Sequence, residues 1–584
     1  MKALQYLNKY FYKYKYRLLL GLFITACSKY LSLLVPPLIR KSIDMADAYR
    51  TGVISDMDLV KEDLLTNILL IIGATLLAGG FTFLMRQLII VTSRLIEFDL
   101  KNEIYDQYQK LSVNFYKKNS TGDLMNRISE DVSKVRMYFG PALMYTINML
   151  MLFIVAIVKM LEIDVVLTGY TLLPLPLLSL SIYILSRVIY SRSTVVQQYL
   201  SKLTTNAQET FSGISILKSY GIEEKSISEF VALTEETKNK NINLFKAQAL
   251  FFPLMILLIG LSNILVIYVG GLRYIAGEIT IGVIAEFIMY VNMLTWPVAV
   301  VGWVTSIIQQ AEASQNRINE FLKHTPEIVN TAIEEHDLKG EIEFRNVSFT
   351  YDDTNITALK NINLHIEKGQ TIGILGKTGS GKSTLINLIT RSYDVSHGTI
   401  YIDKRPIKQV NLNSLREQIG VVPQDSFLFS DTIKTNISFG LENASDQDIE
   451  DAAKNAYIHE NIIAFKNGYN TFIGERGVTL SGGQKQRVSI ARALIKDPEI
   501  LIFDDCLSAV DTKTEEIILR NLYTVSQHKT TLIVSHRISS LKNASLIIVL
   551  EQGEILQQGS HSQLLNTDGY YKNLYEQQLL EKEE

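Results

Sequence analysis

Three short segments in the second half of the chain carry residues suited to phosphate chemistry. Residues Gly376–Ser383, with the sequence GKTGSGKS, match the phosphate-loop pattern G-x-x-x-x-G-K-[ST] at every fixed position. Further along, the apolar run Ile500–Phe503 ends in two carboxylates, Asp504 and Asp505. Between them stands the segment LSGGQ at Leu480–Gln484. Together these segments predict a site that binds and hydrolyses ATP with Mg²⁺.

Each residue type in these segments has a chemical reason to be there. Glycines let backbone N–H groups converge on phosphate oxygens, and a following helix N-terminus adds positive potential. Lys382 would reach the β- and γ-phosphates, and the Ser383 hydroxyl would bind Mg²⁺. Asp504, at the end of an apolar strand, would also bind the metal, and Asp505 is placed to polarise the attacking water.

The elements that must position these residues can be recognised around them. A strand pattern at 370–375 precedes the loop and a helix pattern at 384–389 follows it, which is the context that a phosphate loop requires. Residues 341–584 therefore indicate an α/β domain, preceded by a polar linker at 312–340. Tyr351, after the strand Ile342–Phe349, would either stack on adenine or cap its strand.

Composition limits the remaining possibilities. The chain has 584 residues, which allows a membrane region plus one large soluble domain. A net charge of −3 gives no sign of a nucleic-acid partner, and two widely separated cysteines imply no disulfide framework.

The first half of the chain reads as a membrane domain. Six apolar runs are long enough to cross a bilayer, near 17–38, 64–92, 138–161, 165–187, 250–274 and 281–308. The first is too long for a signal-peptide core, so we interpret it as a retained span. Residues 1–16 mix tyrosines with lysines, which is typical of a helix in the membrane interface, a soluble amphipathic helix being the alternative. The predicted fold class is an all-α six-helix transmembrane domain at 17–311 followed by an α/β P-loop nucleotide-binding domain.

Charge distribution predicts the orientation in a bacterial-type cell (inner) membrane. The segments after the second and fourth spans are long and basic, so both termini and the ATP domain should lie in the cytoplasm. Each of these segments also contains a predicted polar turn, the second one around Thr205–Glu209 and Gly213. Lys29 lies near the middle of the first span; it would line a substrate cavity, or else snorkel or pair within the bundle.

The ordered set of motifs resembles that of ATP-binding cassette (ABC) exporters of the half-transporter, multidrug or lipid type, over essentially the whole chain. The matching positions are Tyr351 (adenine-stacking aromatic), Gly376–Ser383 (Walker A), Gln424 (Q-loop), Thr471–Gly477 (exporter-specific loop), Ser481–Gln484 (signature), Ser508–Asp511 (D-loop) and His536 (switch histidine). The resemblance implies an ATPase coupled to transport of a hydrophobic or amphipathic compound, a drug or a lipid, with an ATP-gated channel or regulator as the alternative.

The same resemblance implies the roles of the site residues. The catalytic set would be Asp505, His536, Gln424 and Lys382, and the metal ligands Ser383, Gln424 and Asp504. The ATP contacts would be Tyr351, Gly376, Thr378, Gly379, Ser380, Gly381, Lys382, Ser383, Thr384, Gln424, Ser481, Gly482, Gly483 and Gln484. Phe115–Lys118 and Thr205–Thr210 match the coupling helices that press on the cassettes near the Q-loop. Each ATP would be held between the Walker A loop of one chain and the signature of another, so a second half-transporter is expected.

One position departs from the family pattern. The family usually has Glu where this chain has Asp505, which is one methylene shorter and sets the carboxylate back by roughly 1–1.5 Å. ATP should still bind, while hydrolysis should be slow. An Asp in this place together with an intact signature resembles one subunit of heterodimeric exporters. We therefore favour a heterodimer, with a homodimer of two slower sites as the alternative.

Overall fold

The computed structural model describes residues 3–474, 477, 479–507 and 510–583. It divides into two compact units, one formed by Met1–Gln109 with Gly122–His324 and the other by Lys110–Thr121 with Thr325–Glu584. Four residues of the expected exporter-specific loop and D-loop, Glu475, Arg476, Ser508 and Ala509, lie outside the described residues.

The first unit is entirely helical in its described part. Its α-helices are α1 (Asn8–Lys13), α2 (Lys15–Ser32), α3 (Val35–Arg50), α4 (Met57–Lys110), α6 (Thr121–Asn126), α7 (Val132–Met137), α8 (Leu143–Ile163), α9 (Val165–Leu172), α10 (Pro174–Ser212), α11 (Ile214–Tyr220), α12 (Glu223–Ala249), α13 (Phe251–Ile275) and α14 (Ile281–Leu322). A 3₁₀ turn at Ala3–Leu7 begins the unit, and π-helical turns at Arg127–Asp131 and Tyr138–Ala142 flank α7.

Among the described residues of this unit, five stretches are long and apolar enough to cross a membrane: Lys15–Arg50, Met57–Lys110, Thr121–Ile163, Glu223–Ile275 and Ile281–Leu322. They cover five of the six expected spans. The remaining one, at 165–187, is divided at Leu173 between α9 and α10, because Pro174 lacks the N–H that would continue a single helix. These helices confirm the helical transmembrane domain that the sequence predicts.

Two local expectations about helix ends need correction. The predicted turn around Thr205–Glu209 and Gly213 is found only at Gly213, between α10 and α11, because α10 runs through Thr205–Glu209. Its polar side chains lie along an exposed helix and do not interrupt it; Thr204, for example, returns its hydroxyl to the carbonyl oxygen of Leu200 at 2.9 Å. The last helix, α14, continues to Leu322 and so extends into the segment expected to be a linker.

The N-terminal segment packs against α4. Lys9 and Tyr10 both contact the carboxylate of Glu103, the tyrosine hydroxyl at 2.6 Å, and Lys13 pairs with Asp99 at 2.6 Å. This expected interfacial helix is therefore fastened to the transmembrane domain through its polar side chains.

The second unit contains two sheets and short helices. Its strands are β1 (Ile342–Thr350), β2 (Thr357–Ile366), β3 (Thr371–Gly376), β4 (His397–Ile402), β5 (Arg405–Pro406), β6 (Ile419–Val422), β7 (Ile500–Asp504), β8 (Thr530–Val534), β9 (Leu546–Glu551) and β10 (Glu554–Gly559). Its α-helices are α5 (Val113–Lys118), α15 (Lys382–Ile389), α16 (Leu412–Glu417), α17 (Ile433–Ser438), α18 (Asp446–Asn455), α19 (His459–Ile463), α20 (Gly482–Leu494), α21 (Thr512–Val525), α22 (His561–Leu565) and α23 (Tyr570–Glu583).

The larger sheet positions the chemistry. Its strand order is β10-β9-β3-β8-β7-β6, with β9, β3, β8, β7 and β6 parallel; an antiparallel sheet, β2-β1-β4-β5, packs beside it. Every residue of β7 and β8 is buried, as expected for parallel strands covered on both faces. The carboxyl ends of β3, β7 and β8 consequently meet at one edge of the sheet, where ligands of α/β folds bind.

Candidate ATP-binding and hydrolysis site

The sheet edge brings together the three segments that the sequence singles out. β3 ends at Gly376, where the phosphate loop begins, and Asp504 at the end of β7 lies opposite Val534 of β8. His536 follows β8 by two residues. These side chains are distant in sequence and become neighbours because their parallel strands are in register.

The glycines of the phosphate loop are required by close backbone approaches. A Cβ at Gly376 would clash with the carbonyl oxygen of Leu550, and one at Gly381 would lie 2.5 Å from that of Ala358. Gly381 also has a φ of +104°, which favours glycine, and it is the residue before α15. The loop can therefore turn sharply and direct backbone N–H groups toward a phosphate at the start of the helix.

The Lys382 side chain is hydrogen-bonded inside this loop. Its ammonium donates to the carbonyl oxygens of Gly376 at 2.8 Å and Lys377 at 2.9 Å, and the residue is only 8% exposed. Burial lowers the pKa of Lys382, while the charges of Asp504 and Asp505 oppose that shift. The nearby hydroxyl of Ser380 is buried without a hydrogen-bond partner in the described part of the chain, so a phosphate oxygen would satisfy it.

Two of the three expected metal ligands, Ser383 and Asp504, are already in contact. The Ser383 side chain hydrogen-bonds to the carboxylate of Asp504, and burial raises the pKa of Asp504 against this bond. A hydroxyl and a carboxylate held together beside a phosphate loop suit Mg²⁺, which prefers oxygen ligands and often shares them with phosphate groups. The residues present therefore fit the metal.

Asp505 and His536 line the same cavity as the phosphate loop. The backbone of Asp505 is left-handed, with φ of +44°, and its N–H donates to the carbonyl oxygen of Val534 at 3.0 Å. The loop of His536 is held by Gln578, whose amide nitrogen donates to the His536 carbonyl at 2.9 Å and whose amide oxygen accepts from the Ile538 N–H at 3.0 Å. Gln578 stands in a polar C-terminal helix, and no sequence motif pointed to it.

A cavity of about 580 Å³ connects these groups. Of the residues predicted for the site, its wall includes Tyr351, Thr378, Gly379, Gly381, Lys382, Ser383, Thr384, Gln424, Asp504, Asp505 and His536. Gly376 and Ser380 belong to the loop behind the wall. The signature residues Ser481, Gly482, Gly483 and Gln484 are not among the described residues that line it.

The signature segment instead begins a helix of its own. Ser481 precedes α20 and accepts a hydrogen bond from the Gln484 N–H at 3.3 Å, while Gln484 accepts one from the Ser481 N–H at 2.9 Å. This reciprocal capping box leaves the other N–H groups of the first turn free to face a ligand. Such a helix start can bind a phosphate that belongs to another chain.

Tyr351 is held as part of the site. Its hydroxyl shares a hydrogen bond with the Thr384 hydroxyl at 3.0 Å, and its ring makes edge contacts with Phe349 and Tyr393, with centroids 4.8 and 5.6 Å away. The tyrosine lines the ATP cavity, and its adenine-stacking role stays a prediction beside the strand-cap alternative. Lys117 also lines the cavity, with its ammonium 4.3 Å from the centre of the Tyr351 ring.

Lys117 comes from α5, the first expected coupling helix. It pairs with Asp353 at 2.9 Å, and this hydrogen bond raises the pKa of Lys117. α5 is also fastened by Asn114, whose amide donates to Glu327 at 3.0 Å. α5 therefore packs beside Tyr351 of its own chain through Lys117, a residue that the sequence did not single out although its segment was named.

The fold and the site define a class of protein: a membrane-embedded ATPase with a phosphate-loop cassette. Comparison with known families agrees. The ABC transporter family matches residues 359–508 and the ABC transporter transmembrane region matches residues 18–298.

Individual relatives extend this likeness over most of the chain. The multidrug resistance-like ATP-binding protein MdlA of Escherichia coli is 37% identical over 500 residues, which is 85% of each chain. The ATP-dependent lipid A-core flippase of Syntrophus aciditrophicus is 37% identical over 88% of this chain and 85% of its own length. A bacterial Atm1-family ABC exporter solved with ATP bound superimposes with a TM-score of 0.80, at 27% identity, over 96% of this chain and 99% of that one.

The chain therefore belongs to the ABC transporter family. It has the exporter architecture, a helical transmembrane domain followed by an ATP-binding cassette, and it is a multi-pass inner-membrane ATPase that drives export. Exporters of this architecture act as dimers of half-transporters.

Proposed function

We propose that this chain is the half of a heterodimeric exporter whose own nucleotide site hydrolyses ATP slowly. The observation that carries the proposal is the combination of a short carboxylate, Asp505, inside the chain's own ATP cavity with an intact signature outside it. The cavity holds the phosphate loop and Asp505, whereas the intact signature at Ser481–Gln484 begins a separate helix. The signature would complete the partner's site, and the partner's signature would complete this one.

Asp505 supports a slow site in this chain. Its carboxylate is one methylene shorter than the usual Glu, and a displacement of about 1 Å can cost roughly 10²-fold in rate. Its left-handed backbone, with φ of +44°, is one that Asp adopts more readily than Glu, so the local fold favours the shorter residue. The competing proposal is a homodimer in which two such sites close further and hydrolyse at a moderate rate.

The other site residues receive complementary roles. Ser383, Asp504 and Gln424 would hold Mg²⁺, which neutralises charge on the β- and γ-phosphates when bound. Lys382 would exchange its two loop carbonyls for phosphate oxygens, and Tyr351 would carry the adenine. His536, on a loop fixed by Gln578, would orient the attacking water.

The direction of transport and the substrate follow from the membrane half. The basic loops support cytoplasmic termini and a cytoplasmic cassette, so export would begin from the cytoplasm or the inner leaflet. The relatives include multidrug-type proteins and a lipid A-core flippase, which supports a hydrophobic or amphipathic substrate. The sequence-based boundaries at 17–311, 312–340 and 341–584 remain our assignment of transmembrane domain, linker and cassette, except that the last helix of the transmembrane domain continues to Leu322.

The test is Mg-ATPase activity of the purified chain alone in lipid nanodiscs. Lys382→Ala supplies the blank, Asp505→Glu lengthens the carboxylate, and Asp446→Glu, at the exposed start of α18, is the matched control. The heterodimer proposal expects ATP binding with negligible turnover of the unmodified chain, and little gain in Asp505→Glu.

Two results would contradict it. Substantial Lys382-dependent turnover by the unmodified chain would make Asp505 a working catalytic residue. Turnover that appears only in Asp505→Glu, and not in Asp446→Glu, would show a competent homodimer limited by the shorter carboxylate.

A further inference from the structure

A second cavity, of about 360 Å³, lies in the transmembrane unit. Residues of α2, α4, α8 and α14 form its wall. Its distinctive side chains are two cations and four methionines: Lys29, Arg86, Met85, Met144, Met149 and Met293.

Among the described residues, neither cation has a partner of opposite charge. None of the described residues in the wall is Asp or Glu. Within the described part of the chain, no ion pair or hydrogen bond engages the side chain of Lys29 or of Arg86. A charge at membrane depth is costly unless it meets water or a counter-charge. In this cavity Arg86 is exposed and Lys29 is half-buried, so both charges are open to a ligand that supplies the negative charge.

The helix packing fixes both cations at the same cavity. Ser28 of α2 donates to the carbonyl oxygen of Ala78 at 3.1 Å and shares a hydrogen bond with Thr82 of α4 at 2.8 Å. Lys29 follows Ser28 directly, and Arg86 stands one helical turn beyond Thr82. These hydrogen bonds set the register of α2 on α4, so helix packing holds both cations on one wall of the cavity.

The rest of the wall suits an apolar body of variable shape. Methionine side chains are unbranched and polarisable, so they adapt to irregular partners. The side-chain amide of Asn148 is already hydrogen-bonded within the wall: its nitrogen donates to the carbonyl oxygen of Met144 at 2.9 Å and lies 3.4 Å from the sulfur of Met85. The cavity thus pairs a positive spot with a deformable apolar lining.

We propose that this cavity binds an anionic amphiphile, with a phosphate, sulfate or carboxylate headgroup between Lys29 and Arg86 and the apolar body against the methionines. The inference rests on the export function proposed above and names its substrate class. A cationic amphiphile with the same tail meets two like charges and binds worse.

The test measures binding without ATP, on the full chain in phosphatidylcholine nanodiscs with empty discs as the blank. The probes are fluorescent dodecyl phosphate, dodecyl trimethylammonium with the same fluorophore, and a fluorescent diacyl phosphatidic acid. We expect the phosphate headgroup to bind at least about tenfold more tightly than trimethylammonium, because each charge-assisted hydrogen bond favours it.

Variants then assign the preference to the two cations. We expect the double variant, Lys29→Gln with Arg86→Gln, to lose the preference for the phosphate headgroup. The Lys29→Arg variant keeps the charge and should keep that preference. The control is Lys159→Gln on α8, which removes a lysine that already pairs with Glu162 at 2.7 Å and does not line the cavity. Equal binding of both headgroups by the unmodified chain, or a preference that survives in the double variant, overturns the proposal.

The remaining comparisons separate ligand source from transport. Binding of the diacyl probe identifies a membrane lipid as the source, and binding of the single-chain phosphate alone identifies a free amphiphile; both support the anionic class. The chain could bind the phosphate probe selectively and yet show no ATP-driven movement of it that depends on Lys382. That result counts against export but leaves the binding proposal standing. ATP-driven movement of both headgroups alike sustains export and overturns this proposal.

Discussion

Replacing Ser481 with alanine separates the structural role of the signature serine from its role toward ATP. The chain contains a nearly identical cap elsewhere, because Ser560 accepts from the Gln563 N–H at 3.3 Å and donates its own N–H to Gln563 at 2.8 Å. The corresponding distances at Ser481 are 3.3 and 2.9 Å. Ser560→Ala is therefore a matched control that removes the same cap from a helix without the signature.

The structural cost of both changes can be worked from this geometry. A cap bond of 3.3 Å is longer than the usual 2.9–3.0 Å, so we expect a loss near the low end of measured N-cap effects, roughly 0.5–1 kcal/mol. Hydrogen exchange of the first-turn amides should then be about two to five times faster, at Gln484 in one variant and at Gln563 in the other.

The functional cost should differ. If the Ser481 hydroxyl contacts the γ-phosphate held by another chain, its removal costs a charge-assisted hydrogen bond of about 1.5–3 kcal/mol, or roughly 10- to 100-fold in turnover. ATPase activity is measured on the assembly that hydrolyses ATP, whether two copies or this chain with its partner half. Ser560→Ala should stay within about twofold of the unmodified protein. Equal losses in both variants, or normal activity in Ser481→Ala, would refute the reasoning.

Three further changes test other parts of the cassette. Lys117→Met should weaken ATP binding or its coupling to transport, because it removes the cation over the Tyr351 ring. Lys118→Met, on the same helix, is the control and should leave ATP binding and transport unchanged. Nucleotide titration measures the binding, and transport assays measure the coupling. Arg492→Met should lower the urea midpoint by an amount equivalent to about 3 kcal/mol, since burial lowers the pKa of Arg492 to about 10 and its guanidinium satisfies two backbone carbonyls at 2.8 Å. Burial also lowers the pKa of His561, so at mildly acidic pH the unfolded chain binds more protons than the folded one. The contribution of His561 to folding stability should therefore be complete at neutral pH and decrease as the pH falls through about 6.5. Thermal melts at pH 5.5 and 8 should show a smaller difference for His561→Gln than for the unmodified chain.

Much of the architecture could be predicted because its signals are local. A strand, a glycine-rich loop and a helix within Thr371–Ile389 define a phosphate site without reference to the rest of the chain. Each apolar run long enough to span a bilayer likewise predicts a membrane helix from its own residues alone. The helical membrane domain followed by an α/β cassette is confirmed, while the roles of single residues stay predictions that the variants above test.

The error and the omission have different causes, one local and one long-range. Polarity around Thr205 favoured a turn, but an exposed helix tolerates such residues and α10 continues to Ser212. Gln578 lies in a helix without any motif and becomes important only because α23 returns to the loop of His536.

The sequence by itself determined which chemistry the chain carries: the phosphate loop, the two carboxylates, the signature and the membrane spans, all encoded in contiguous residues. Only the tertiary structure decided which of them meet. It placed Lys117 over Tyr351, set Lys29 and Arg86 on one cavity wall, and kept the signature out of the chain's own ATP cavity. The physical reason is that strand register and helix packing join residues far apart in the chain, and no local pattern records those contacts.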